Sequence, residues 1–169
     1  IRPGLDAKNW GSGHGNNTPA WGVLDTSPTE ISVYWAENYG VDWIENQARK
    51  QPGRNPQLRR GTVRTDGFVS VNAPHAGGEF ITKPLLLSGR KLVLNFSTSA
   101  IGNVRVEIQD ENGKPLPGFA LDDCTEIYGD EIARAVAWKS GANGLPVNQP
   151  VRLRFALKDA DLFSFRCLP

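Results

Sequence analysis

The stretch Asn103-Val104-Arg105-Val106-Glu107-Ile108-Gln109 decides the fold. Its apolar side chains fall on every second residue, and polar or charged ones stand between them. That is the period of a strand with one face in a core and one face toward solvent. The same rhythm returns on both sides of it, in Leu92, Leu94 and Phe96, and again in Val151, Leu153, Phe155 and Leu157. Three such faces in one short chain predict antiparallel sheets sharing a core, with Phe96, Val106 and Phe155 inside it.

Further strand candidates are Thr62 to Arg64, Phe68 to Asn72, Glu79 to Thr82, Ile132 to Trp138 and Leu162 to Arg166. Turn signals separate them at the spacing of a sandwich. One is Asp110-Glu111-Asn112-Gly113-Lys114, where Asn-Gly supplies the positive φ angles of a hairpin turn. With 18 glycines and 12 prolines in 169 residues and no sustained 3.6-residue apolar period, helix is confined to one or two short turns. The fold class is therefore all-β: an antiparallel two-sheet β-sandwich, jelly-roll-like, over residues 62–169, preceded by a different segment over residues 1–61.

That first segment holds four of the five tryptophans, Trp10, Trp21, Trp35 and Trp43. Gly11-Ser12-Gly13-His14-Gly15-Asn16-Asn17-Thr18-Pro19 reads as a loop, because glycine and asparagine tolerate left-handed backbone and proline ends strands. Ala20 to Leu24 and Glu30 to Ala36 read as short strands split by the turn Asp25-Thr26-Ser27-Pro28-Thr29. Glu45 to Gly61, polar and rich in arginine, reads as an exposed loop.

Composition excludes several classes. Hydrophobic residues are 39% and charged residues 22%, so the chain is neither disordered nor collagen-like. Nineteen basic against eighteen acidic residues leave a net charge of +1, with no basic stripe for nucleic acid. No apolar run reaches the roughly 20 residues of a membrane-spanning helix, and no membrane partner is expected. The chain has no methionine, and the expectation is a processed product or excised segment. Cys124 and Cys167 are too far apart for a zinc knuckle. They can form one bridge in an oxidising compartment or remain two buried thiols.

Catalytic signals are thin. Asp122, Asp123, Glu126, Asp130 and Glu131 put five carboxylates in ten residues, but their order fails the EF-hand template. A solvated loop whose acids satisfy turn amides and cap a short helix is favoured over a calcium site, and no cofactor or metal is expected. His14 and His75 are isolated in loops. No Gly-x-Ser-x-Gly elbow, phosphate loop or His-Glu-x-x-His occurs, so no catalytic residue is assigned.

The better candidate is a binding surface. Sugar rings present apolar C–H faces and polar edges, which suit flat aromatic platforms beside amides and imidazoles. Asn9, Trp10, His14, Asn16, Asn17 and Trp21 supply that mixture. Tryptophan also fills cores; for Trp35, in a strand, the core reading prevails, whereas for Trp10 the two stand level.

Several runs carry a resemblance: Pro19-Ala20-Trp21-Gly22-Val23 with Glu30-Ile31-Ser32-Val33-Tyr34; Arg59-Arg60-Gly61-Thr62-Val63-Arg64-Thr65-Asp66-Gly67-Phe68-Val69-Ser70-Val71; Gly77-Gly78-Glu79-Phe80-Ile81-Thr82-Lys83-Pro84-Leu85; and Val104 to Asp110 running into Gly118 to Cys124. Together they resemble the C-terminal region of bacterial proteins related to glycoside hydrolase family 32 and its five-bladed-propeller relatives. The resemblance implies a last propeller blade over residues 1–61 and a sandwich over 62–169. It further implies a preceding propeller or catalytic segment as partner and a secreted or periplasmic bacterial location. The family's acid and nucleophile lie in earlier blades, and no position here matches their motifs. The loop from Glu45 to Gly61 is longer than the family pattern at this junction.

The expected function is a non-catalytic, carbohydrate-associated accessory region of a glycoside hydrolase-like protein, binding glycan weakly or bracing the catalytic propeller. On its own the chain is expected to lack hydrolase activity. The alternative is a structural or protein-interaction sandwich without glycan affinity.

Overall fold

The computed structural model describes residues 17–37, 57–140, 144–147 and 149–169. Among them the chain is all-β, without helix, in ten strands and two antiparallel sheets. The chain divides into two compact units, Ile1–Thr65 and Asp66–Pro169.

The first unit carries β1 (Asn17–Pro19), β2 (Leu24–Ser27), β3 (Glu30–Glu37) and β4 (Gln57–Arg64). β4 runs the whole length of β3, from Glu30↔Arg64 to Glu37↔Gln57. The opposite edge of β3 is shared end to end by β2, which meets Glu30 to Ser32, and β1, which meets Trp35 to Glu37. Sequence assignments shift here. Asn17 to Pro19 is strand rather than loop, Ala20 to Val23 is connection rather than strand, and Asp25 to Ser27 belongs to β2. Gln57 to Gly61, read as loop, is the first part of β4, and Thr62 to Arg64, read as the sandwich's opening strand, completes it. The remainder of the expected loop, residues 45–56, lies outside the described residues. Trp35 is half-buried rather than core, and its ring lies over Gly61, where a Cβ would meet Trp35 Cζ3 at 2.7 Å.

The second unit holds β5 (Val71–Ala73), β6 (Gly78–Ile81), β7 (Leu85–Leu86), β8 (Lys91–Gln109), β9 (Asp130–Ala135) and β10 (Pro150–Leu168). Two 19-residue strands, β8 and β10, pair along nearly their full lengths, from Arg152↔Gln109 to Leu168↔Lys91. β5, β6 and β7 tile the free edge of β10, and β9 covers the first half of β8. The alternating sets all face one core. Leu92, Leu94, Phe96, Val104, Val106, Ile108, Val151, Leu153 and Phe155 are all fully buried.

Both long strands are interrupted together at one place, and β10 has a second bulge at Phe163, between Leu162↔Phe96 and Ser164↔Asn95. Lys158 pairs with Asn103 and Ala160 with Thr98, so Ser99 to Gly102 on β8 oppose Asp159 alone. Gly102 is where the backbones crowd. A Cβ there would overlap the carbonyl oxygens of Asp159 and Lys158. The bulge turns each strand into two arms, and the arms supply the two packed layers from one hydrogen-bonded network. The Asp110 turn is a hairpin in which Gly113 N–H bonds Asp110 O (3.1 Å) and only Gly113, at φ 86°, has positive φ.

Candidate functional site

Of the residues expected to bind sugar, Asn9, Trp10, His14 and Asn16 lie outside the described residues. Asn17 opens β1, its backbone opposite Glu37. Trp21 is the member whose side chain is described, and the sheet explains its placement. Pro19 pairs with Trp35 and Leu24 with Ser32, so the four residues Ala20 to Val23 span only Val33 and Tyr34 on β3. The surplus chain must leave the sheet edge. Ala20 N–H anchors it to Tyr34 O at 2.8 Å, and Gly22 reverses it at φ 86° with nothing within 4 Å of its would-be Cβ. Trp21 sits at that crest with its side chain wholly in solvent, at 102% relative exposure.

The sheet beneath it is held by a polar clasp. Ser32 Oγ is fully buried and bonds Thr26 Oγ1 at 2.8 Å, while Arg60 Nε donates to it at 2.8 Å. Arg60 NH2 reaches Glu30 Oε1 at 2.6 Å. β2, β3 and β4 are thereby tied on one face, where burial of a lone serine would otherwise cost about 1–3 kcal/mol.

The acidic stretch is dispersed by its backbone. Cys124 bridges Trp138, Ile127 bridges Val104, and Asp130 begins β9. Asp123 Oδ2 accepts from Ala120 N–H at 3.3 Å, capping a turn rather than a helix. Arg134 pairs with Glu131 at 3.1 Å, and Arg105 approaches Asp122 at 3.9 Å. Among the described residues no three His, Cys, Asp or Glu side chains come together as a metal site. His75 is an exposed turn residue. Cys124 and Cys167 are unbridged. No helix among the described residues is long and apolar enough to cross a membrane.

Two features escaped the sequence reading. Glu107, on the supposedly exposed face of β8, is buried and accepts from Gln109 Nε2 (2.7 Å), Leu121 N–H (3.0 Å) and Arg154 NH1 (3.4 Å). Arg154 also grips Glu79 Oε2 through Nε (3.1 Å) and NH2 (2.7 Å). The hydrogen bonds that Arg154 donates to Glu79, and then to Glu107, raise its pKa above the ordinary value despite partial burial. A carboxylate at every other strand position looks solvated in sequence; only the cross-strand Arg154 opposite Glu107 hints otherwise. The second feature is an aromatic pair, Phe119 and Trp138, edge to face at 5.1 Å. Trp138 Nε1–H donates to Val106 O at 3.0 Å, fixing the indole. Nothing in the spacing of residues 119 and 138 announces that contact.

No family model, curated protein or solved structure matches the chain.

Proposed function

We propose that the chain is a non-catalytic, carbohydrate-associated accessory region of a glycoside hydrolase-like protein from the secreted or periplasmic space of a bacterium. In this reading it binds glycan weakly through the Trp21 crest or braces a preceding propeller. The observation that carries it is the Trp21 side chain, held out from the sheet by surplus residues and a left-handed glycine, and wholly exposed. A large flat apolar ring in water is costly unless it meets a partner, and the C–H face of a sugar is a partner of matching shape and polarity. The antiparallel sheet of the first unit is compatible with a propeller blade, although a blade sets four strands side by side and here β1 and β2 share one edge of β3. The jelly-roll character of the second unit belongs to the same proposal.

Retention on a panel of insoluble and gel-entrapped polysaccharides tests the reading. The wild-type chain should be retarded by at least one of them, and Trp21→Ala should not. Retardation that survives Trp21→Ala overturns the assignment of the crest.

A second reading is a protein-interaction module. It is favoured by exposed apolar side chains on β5, β6 and β7 and in the connection before β5: Phe68, Val69, Val71, Ile81 and Leu86. Absence of retention on every polysaccharide would favour this reading over the first.

A further inference from the structure

The start of β8 and the chain that follows β9 enclose a second feature, separate from the Trp21 crest. Val136 N–H bonds Leu92 O at 2.9 Å and Leu145 N–H bonds Arg90 O at 3.2 Å. These two bonds hold residues 136–138 and 144–145 against the strand's beginning. There a cleft of about 290 Å³ is lined by Arg90, Lys91, Leu92, Phe119, Trp138 and Leu145, with Val136, Ala137 and Gly144 completing the wall.

Its lining is sorted by chemistry. Leu92, Phe119 and Leu145 are buried and form an apolar floor. Trp138 is half-buried, and its only polar group is already committed to Val106 O, so it offers a ligand ring surface and no donor. Arg90 and Lys91 are exposed at the rim. No carboxylate lines the cleft, and neither rim cation has an ion-pair partner among the described residues. An aromatic wall with two cations that no described acidic side chain pairs selects a ligand that is flat or weakly polar on one side and anionic on the other. The volume lies at the lower end of the roughly 300–1,000 Å³ of small-molecule sites, which suits a single ring.

We propose that this cleft binds a ring bearing a carboxylate, with Arg90 and Lys91 on the carboxylate and Trp138 against the ring. That chemistry has two natural sources, a sugar acid and an aromatic acid. The site stands independently of the Trp21 reading, because none of its residues belongs to the first unit.

The test is a ¹H–¹⁵N correlation titration of the whole chain with sodium glucuronate, sodium benzoate and glucose as probes. The Trp138 indole N–H, the Gly144 amide and the Leu145 amide report on the cleft. Glucuronate or benzoate should shift all three, with Kd in the millimolar range, and glucose should need at least about tenfold more. Shifts from glucuronate alone assign a sugar acid; shifts from benzoate alone assign an aromatic acid. The double variant Arg90→Gln/Lys91→Gln, changed only at exposed side chains, should weaken binding about five- to tenfold, and high salt should do the same to wild type. Trp21→Ala should leave the titration unchanged. The proposal is overturned if neither acid shifts the reporters, if glucose does so equally well, or if the double variant binds as wild type does.

Discussion

Phe155 and Phe165 lie on one strand, ten residues apart, yet their ring centroids are 5.2 Å from each other. A straight strand would separate them by about 33 Å. The contact exists because β10 bends at Asp159, whose φ is 44°, and brings its two arms face to face. Phe80 stacks on Phe155 from the neighbouring strand at 4.9 Å, so Phe155 is in contact with two rings. Each arm thereby buries the apolar face of the other, which neither could do as part of a flat sheet.

Truncating Phe155 to Ala should cost about 3–5 kcal/mol, because a fully buried aromatic leaves a cavity its neighbours cannot fill. Phe165→Ala, at a half-buried position, should cost less. Chemical denaturation of the two single variants and the double should show a coupling of about 0.5–1.5 kcal/mol. Strict additivity would mean that the arms do not meet.

Gly102 should tolerate no side chain. Its would-be Cβ overlaps backbone carbonyl oxygens of Lys158 and Asp159, which cannot rotate away as a side chain could. Gly102→Ala should therefore destabilise by about 1–3 kcal/mol through overpacking at the bend. An unchanged denaturation midpoint would show that the bulge is free to open.

The arms were legible in sequence and the bend was not. Leu92 to Phe96, Val104 to Ile108 and Val151 to Leu157 alternate cleanly, because each lies on one straight arm with a single buried face. The bulges interrupt that period between Thr98 and Asn103 and between Lys158 and Ala160, so one long strand reads as two short ones. Glu107 was unreadable for a related reason. Period-two logic sends it to solvent, whereas the loop that brings Leu121 N–H to its carboxylate, with Gln109 and Arg154, covers it. At the candidate crest, tryptophan among amides and imidazole was the visible signal, but the surplus that lifts Trp21 depends on the pairing register of β3. The Phe119–Trp138 cleft depends on long-range pairing throughout, as with Val136 on Leu92, and no local pattern encodes it.

Removing Arg154 should be worse than removing its pair. Arg154→Met leaves the Glu107 carboxylate buried with only Gln109 and a backbone amide as donors. A loss of about 2–4 kcal/mol is expected, reduced from the fully buried case because the Arg154 side chain keeps 29% relative exposure. Adding Glu107→Gln to Arg154→Met should recover part of that loss. Equilibrium unfolding in urea measures both, and a double variant less stable than Arg154→Met would contradict the assignment.

Cys124 should make the protein alkali-sensitive. Burial, opposed by the Val106 N–H and the charges of Arg105 and Lys139, raises its thiol pKa above the ordinary 9.0. The folded pKa lies above the unfolded one, so the thiol's contribution is complete below the unfolded pKa and is lost as pH rises through the folded value. Stability should hold from neutral pH to about pH 9 and fall beyond it, and Cys124→Ala should flatten that fall. In native protein a thiol-labelling reagent should reach half-buried Cys167 before Cys124. Equal labelling rates at the two sites would refute the burial of Cys124.

Trp21 should report glycan without supporting the fold. Its side chain is wholly exposed, and the Ala20 amide that anchors the crest belongs to the backbone. Trp21→Ala should leave the melting temperature unchanged, whereas Trp138→Ala should lower it by removing both the bond to Val106 O and the contact with Phe119. Iodide quenches only indoles that solvent reaches, so the difference in quenching between wild type and Trp21→Ala isolates the crest. A polysaccharide that retards the chain should shield that component and leave the rest of the emission as it was. The stacking contribution of one ring is about 1–2 kcal/mol, short of the roughly 4 kcal/mol of a millimolar site, so millimolar to high-micromolar binding at a single site also needs hydrogen bonds at the sugar's edge. Tighter binding would then require several sites on one polymer or an attached catalytic unit. A polysaccharide that retards the chain while the Trp21 component stays fully open to iodide would move the contact away from the crest.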